Sequence, residues 1–281
     1  MNNLAARVIS GVIFVPFFIW LIRTGEYLFL GFVIALVGVG LVEFYGFTEA
    51  KGAKPNRILG LFCATMLCLG AFFRIDDIFS LILTAFIFII PAEKVFRQES
   101  NNALFDIGAT LTGVLFVGWL GSYLIRLREF TPAIGYSYQV GADAVLLCVL
   151  VTWACDTFAY FTGKYMGRHP LNKISPKKTW EGAIGGLVFA VLAALATQFW
   201  GFSSLNAHLT WWNLVIIGLI GGIFGPVGDL TESIFKRDAN IKESATFIPG
   251  HGGVLDRFDS MLFTTPFIFY YLKFFVFPFV D

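Results

Sequence analysis

The sequence predicts an all-α integral membrane protein, a polytopic bundle of about nine transmembrane helices with a polar cavity on its cytoplasmic side. Three observations lead there. Hydrophobic residues fill 57% of the 281 positions and charged residues 14%, with a mean hydropathy of +0.75, which leaves too few polar side chains to clothe a water-soluble globule of this length. The apolar residues run in stretches of about 20, the length that crosses a bilayer as a helix. Much of the remaining charge is gathered into two segments, residues 164–181 and 229–259.

Nine segments qualify as spans: 6–23, 27–47, 57–73, 78–92, 105–124, 140–163, 180–200, 211–230 and 258–278, divided by polar or Gly- and Pro-containing breaks. The first follows Arg7 and imitates a secretory signal, but no small-x-small cleavage site follows Ile22, so it is read as a retained helix. Arg74, Asp76 and Asp77 separate the third from the fourth and leave the fourth short. Trp119, Trp180, Trp200, Trp211 and Trp212 fall near proposed span ends, where an amphipathic ring prefers the headgroup layer. In the eighth span, Gly218, Gly221, Gly222, Gly225 and Gly228 suggest either close helix approach or a distorted helix.

Nine spans place fifteen of the twenty Lys and Arg residues on one side, which the positive-inside rule makes cytoplasmic together with the amino terminus. Without the two charged segments the bias falls to six against five, so the orientation leans on cations that are also candidates for chemistry. The expected location is a bacterial-type inner (plasma) membrane. The chain divides into amino-terminal helices, 1–139, and a carboxy-terminal region, 140–281, that holds the 164–180 basic loop and the charged 231–258 loop.

Composition also excludes. A net charge of +1 is unsuited to nucleic acid, which calls for a basic domain. Cys63, Cys68, Cys148 and Cys155 lie in apolar stretches without metal-ligand spacing and read as small core residues, and the three histidines do not form a zinc site by spacing. Glu43, alone in the second span, reads as a structural or interfacial acid, and Asp143 as interfacial.

Chemistry concentrates in the carboxy-terminal half. If the eighth span stays helical, Asp229, Glu232, Ser233 and Lys236 share one face at i, i+3, i+4 and i+7. Asp256 and Asp259 open the ninth span one turn apart, just after the flexible His251-Gly-Gly turn, and Asp229 and Asp256 are candidates to meet across the hairpin. The acids there outnumber the bases, Lys236, Arg237, Lys242 and Arg257, by two, a deficit that either a divalent hard cation or a set of solvated ion pairs would accommodate. The basic loop has the opposite balance, Lys164, Arg168, Lys173, Lys177 and Lys178 against Glu181 alone. Ser175-Pro176 there reads as a helix cap and first-turn proline, with backbone N–H groups, Lys177 and Lys178 converging on an anion such as phosphate. The bland reading is a basic loop touching anionic headgroups. In the sixth span Thr152, Asp156 and Tyr160 share a face, and Asp156 is either a third acid of the polar centre or the partner of a nearby lysine.

These segments resemble a known family. Residues 233–259, through Ser233, Phe235, Lys236, Arg237, Lys242, Ala245, Ile248, His251, Gly252, Gly253, Val254, Asp256, Arg257, Phe258 and Asp259, are similar to the signature of the phosphatidate cytidylyltransferases, or CDP-diacylglycerol synthases. WACDTFAYFTGKYMGRH and ISPKKTWEG look like the upstream segments of that family. Glu243 departs from the pattern, which carries Asp after the lysine. The resemblance implies transfer of CMP from CTP to phosphatidate with release of pyrophosphate, Mg2+ dependence, a bilayer setting and a homodimer. It implies Asp229 and Asp256 as metal ligands, Asp259 and Asp156 as supporting acids, and Lys236, Arg237, Lys177 and Lys178 as phosphate contacts. Ser175, Ser233, His251 and Arg257 are further candidates for substrate contact. The rivals are a CTP-dependent synthase or kinase acting on another membrane lipid, a cation-coupled transporter with discontinuous helices, and a catalytically silent scaffold.

Overall fold

A computed structural model describes residues 3–74, 76–131, 135–241 and 253–277, and His251, Lys242 and Glu243 lie outside this set. The regular elements among the described residues are helices, beside one isolated antiparallel bridge between Pro170 and Thr179. In order they are α1 (Asn3–Thr24), α2 (Glu26–Ala50), α3 (Arg57–Phe73), α4 (Asp76–Phe96) and α5 (Ala103–Gly113). A π-helical stretch, Val114–Trp119, then leads into α6 (Leu120–Glu129), followed by α7 (Tyr138–Met166), α8 (Trp180–Ala196) and the one-turn α9 (Ser203–Asn206). The last are α10 (Trp211–Asp238) and α11 (Leu255–Tyr271).

Among the described residues, six helical stretches are long and apolar enough to cross a membrane: α2, Phe79–Phe96, Ala103–Glu129, α7, Trp180–Phe199 and α10. Ile58, Phe88 and Leu104 are 82%, 78% and 87% exposed, and large apolar side chains turned outward in such numbers suit a hydrocarbon solvent rather than water.

The boundaries differ from expectation in two places. α4 is a full-length helix rather than a short one: it begins at Asp76, carries Asp77 in its first turn, where a carboxylate favours the helix dipole, and runs through Pro91 to Phe96. The helical run that begins at Ala103 continues to Glu129, so Trp119 lies inside it and packs edge-on against Phe79 at 6.3 Å instead of marking a span end.

The chain forms two compact units: Met1–Arg126 with Phe235–Arg257, and Leu127–Ile234 with Phe258–Asp281. In the first unit Tyr45 is fully buried and donates to Thr110 O at 3.1 Å. Gly60 and Gly113 make room for its ring, since a side chain at either would overlap it. Buried Asp106 accepts from Lys94 Nζ at 2.9 Å and Lys54 N at 2.6 Å, tying the start of α5 to α4 and to the turn after α2.

In the second unit α7 and α8 pack along their length, and glycines set the spacing. A Cβ on Gly218 would lie 2.5 Å from Val191 Cα, one on Gly221 would meet Val151, and one on Gly228 would overlap the Asp259 carbonyl. α10 runs from Trp211 to Asp238 with Pro226 inside it, and its glycine row allows close approach of its neighbours. Asp143, near the start of α7, is 1% exposed and accepts from Leu205 N at 3.1 Å, holding the short α9 in place.

Candidate active site

The basic loop is a folded hairpin. Leu171 N donates to Lys178 O at 2.7 Å and Trp180 N to His169 O at 2.9 Å. Its tip is a four-residue turn closed by Lys178 N donating to Ser175 O at 3.0 Å, with Pro176 at the position whose fixed φ favours such turns. Asn172 Oδ1 steadies the approach by accepting from Ile174 N and Ser175 N. Ser175 therefore does not cap a helix. The cap of α8 is Thr179, whose hydroxyl accepts from Gly182 N at 3.1 Å, and Pro176 closes the turn rather than opening the helix. Glu181 holds the base of the hairpin, accepting from Arg168 N and His169 N and pairing with His169 Nδ1 at 2.6 Å.

This fold separates the two lysines. Lys177 is exposed at the turn, whereas Lys178 is half-buried, with its Nζ 2.7 Å from Asp229 Oδ2 on α10. Asp156 on α7 lies within electrostatic reach of both partners of that pair and hydrogen-bonds to the side chain of Ser260. Asp259, 6% exposed on α11, hydrogen-bonds to the side chain of Glu232, itself 1% exposed on α10. The second unit thus gathers four carboxyl groups and one lysine, Ser175 lies half-buried at the hairpin tip, and Ser233 is half-buried on α10.

The first unit holds a second lysine–carboxylate pair. Phe235 is clasped edge-on by Phe44 at 5.3 Å and Phe116 at 5.1 Å. That contact fixes the last turn of α10, from which Lys236 Nζ bonds to Asp256 Oδ1. Gly253 N donates to the other oxygen of Asp256 at 3.3 Å. Arg237 and Arg257 are exposed, and Lys51 bonds to Asp238 at 3.0 Å beside them.

Two acids to which sequence reasoning gave no catalytic role hold neighbouring elements in place. Glu232 is the partner of Asp259, and its place beside Asp229 on the helical face was the signal for it. Glu43, from α2, accepts from Val254 N at 2.9 Å and Leu255 N at 2.8 Å at the start of α11. Nothing in local spacing pointed from residue 43 to residue 254.

The sequence model of a cytidylyltransferase family matches residues 5–275. The chain belongs to that family. The match takes in the whole helical array, the hairpin and both lysine–carboxylate pairs. Among curated proteins the chain is 33% identical over 291 residues to a phosphatidate cytidylyltransferase of Synechocystis sp., covering 95% of each chain. It is 31% identical over 279 residues to the phosphatidate cytidylyltransferase of Bacillus subtilis, covering 98% of this chain and all of that one. Phosphatidate cytidylyltransferase 5, chloroplastic, of Arabidopsis thaliana is 33% identical over 273 residues, 87% of this chain and 65% of that protein.

Proposed function

We propose that this protein transfers CMP from CTP to phosphatidate, forming CDP-diacylglycerol and pyrophosphate. The observation that carries this reading is the family match over residues 5–275, supported by near full-length relatives of that name. The geometry is consistent with it. Half-buried lysines and exposed arginines stand beside carboxylates that supply hard oxygen donors, a combination suited to a nucleoside triphosphate and a divalent cation.

We assign Asp229 and Asp256 as metal-binding carboxylates. Among the described residues no group of three or more His, Cys, Asp and Glu side chains is arranged to hold a metal alone. Mg2+ fits such a donor set, because it takes one or two carboxylates and completes its shell with substrate phosphate and water. When bound it neutralises phosphate charge and polarises the α-phosphoryl group. The protein's own part is positioning. A phosphatidate oxygen attacks the α-phosphorus in line, the bond to the bridging oxygen breaks, and pyrophosphate leaves with the electron pair. Lys178 and Lys236, placed beside Asp229 and Asp256, offer their ammonium groups to phosphate oxygens as substrate arrives. Lys177, Arg237 and Arg257 are exposed cations for the triphosphate, and Ser175 and Ser233 are hydroxyl donors to substrate. Asp156 supports the centre electrostatically, as does the Glu232–Asp259 pair. His251 is assigned to substrate on the family resemblance alone.

The substrate fits the setting, since phosphatidate keeps its acyl chains in the leaflet while CTP arrives from water. The reading takes nine spans with a polar cavity at the cytoplasmic face of a plasma membrane, and a homodimer. Pyrophosphate release by purified protein given phosphatidate and each of CTP, ATP, GTP and UTP tests it: turnover should require CTP, phosphatidate and Mg2+ together. Turnover without phosphatidate, or with ATP as readily as CTP, would count against it.

A further inference from the structure

Glu43 sits in the middle of α2 among buried Leu41, Phe44, Tyr45 and Phe47, and is itself 4% exposed. An ionised carboxylate in such surroundings is costly unless its lone pairs are used. Both oxygens are used. Oε1 accepts from Val254 N at 2.9 Å and Oε2 from Leu255 N at 2.8 Å, so two consecutive amides are clamped by one planar group. These amides belong to the opening of α11, whose first N–H groups have no partner within the helix. A carboxylate is well matched to that end of the helix dipole.

The clamp is reinforced by packing. Leu255 packs against α2 one turn before Glu43, its Cδ1 3.7 Å from where a Cβ at Gly40 would stand, an ordinary van der Waals contact. Leu255 is 2% exposed. The residue that follows is Asp256, held by Lys236 and by Gly253 N. Its backbone is therefore set by the amides that Glu43 grips, and its carboxylate by the lysine of α10.

We propose that Glu43 is a positioning residue for the reaction: from a helix remote in sequence, it fixes the start of α11 and thereby the place and aim of Asp256. The inference rests on the reading of Asp256 as a metal-binding carboxylate. It gives the amino-terminal helices a direct part in catalysis, beyond anchoring the chain in lipid.

Glu43→Gln tests it at nearly constant size. Glutamine offers one acceptor oxygen, while its amide nitrogen would face the second N–H donor to donor. The full-length variant is compared with wild type by hydrogen exchange of the peptide containing residues 253–256, by steady-state kinetics in CTP, and by the Mg2+ concentration giving half-maximal rate. Exchange at Val254 and Leu255 should accelerate. The kcat should fall by about 10²-fold, the scale of roughly 1 Å of misplacement, with the KM for CTP changing far less. Half-saturating Mg2+ should rise about tenfold, as when a ligand loses an outer partner. Glu43→Asp, which keeps two acceptors on a shorter stem, should recover part of kcat. Unchanged kcat and Mg2+ dependence would overturn the proposal. So would a loss explained by the folded fraction alone, with kcat per folded enzyme and Mg2+ dependence as in wild type, because that marks a purely structural cap. If wild-type protein transfers no CMP, the parent reading fails instead, while the exchange measurement still reports whether the clamp exists.

Discussion

Lys178 Nζ lies 2.7 Å from Asp229 Oδ2, joining the tip of the basic hairpin to the acidic stretch of α10. Lys236 and Asp256 repeat the arrangement in the other unit. Each carboxylate assigned to metal thus has its own lysine.

Removing either carboxylate charge at near-constant size should stop the chemistry. Asp256→Asn and Asp229→Asn are each expected to lower kcat by about 10²-fold or more, the scale of losing one preorganised electrostatic partner. Thermal unfolding should remain cooperative. CMP transfer at saturating substrates measures the effect, and near wild-type turnover at ordinary Mg2+ would remove that residue from the assignment.

Lys178 should matter through its ammonium rather than its bulk. Lys178→Ala is expected to raise the KM for CTP by roughly 10- to 100-fold, equivalent to a charged hydrogen bond of about 1.5–3 kcal/mol. Lys178→Arg keeps the charge on a planar fork and should recover only part of that loss. Substitution of exposed Lys177 should do less than substitution of Lys178.

The hairpin hangs on Thr179. Thr179→Ala removes the cap of α8 and should cost about 1 kcal/mol of stability. Gly167 packs against this side chain, so the same change should loosen the hairpin and raise the KM for CTP. Thr179→Ser, which keeps the hydroxyl, should restore stability more fully than alanine.

The glycine row predicts a different kind of failure. Gly218→Val would drive a side chain into the backbone at Val191 and should destabilise the protein by about 1–3 kcal/mol. Thermal inactivation in detergent should shift downward while the surviving enzyme keeps its KM for CTP. A normal inactivation profile would mean that α8 and α10 can separate there at little cost.

The helical class and the position of each long helix were legible because a run of about 20 apolar residues carries its own length signal. The face of Asp229, Glu232 and Lys236 was legible because periodicity needs only one helix. Tertiary partners were not. Glu43 looks like a stray acid until α11 is brought to it, and the partner of Asp143 is not visible until α9 folds against α7. The Ser175-Pro176 pair suits a helix start and a turn equally well, and the choice was made by Thr179, a better-placed cap four residues later. Lys177 and Lys178 are neighbours in sequence, yet the turn exposes one and commits the other to Asp229.

The most direct test of the central claim follows the phosphorus. Protein in liposomes containing phosphatidate is given Mg2+ and CTP labelled either at the α- or at the γ-phosphate, and the lipid phase is counted. Cytidylyl transfer predicts α-label in the lipid and γ-label released as pyrophosphate. Appearance of γ-label in the lipid would show phosphoryl transfer by a kinase and contradict the account, as would the absence of both labels from lipid when the protein is shown to be folded.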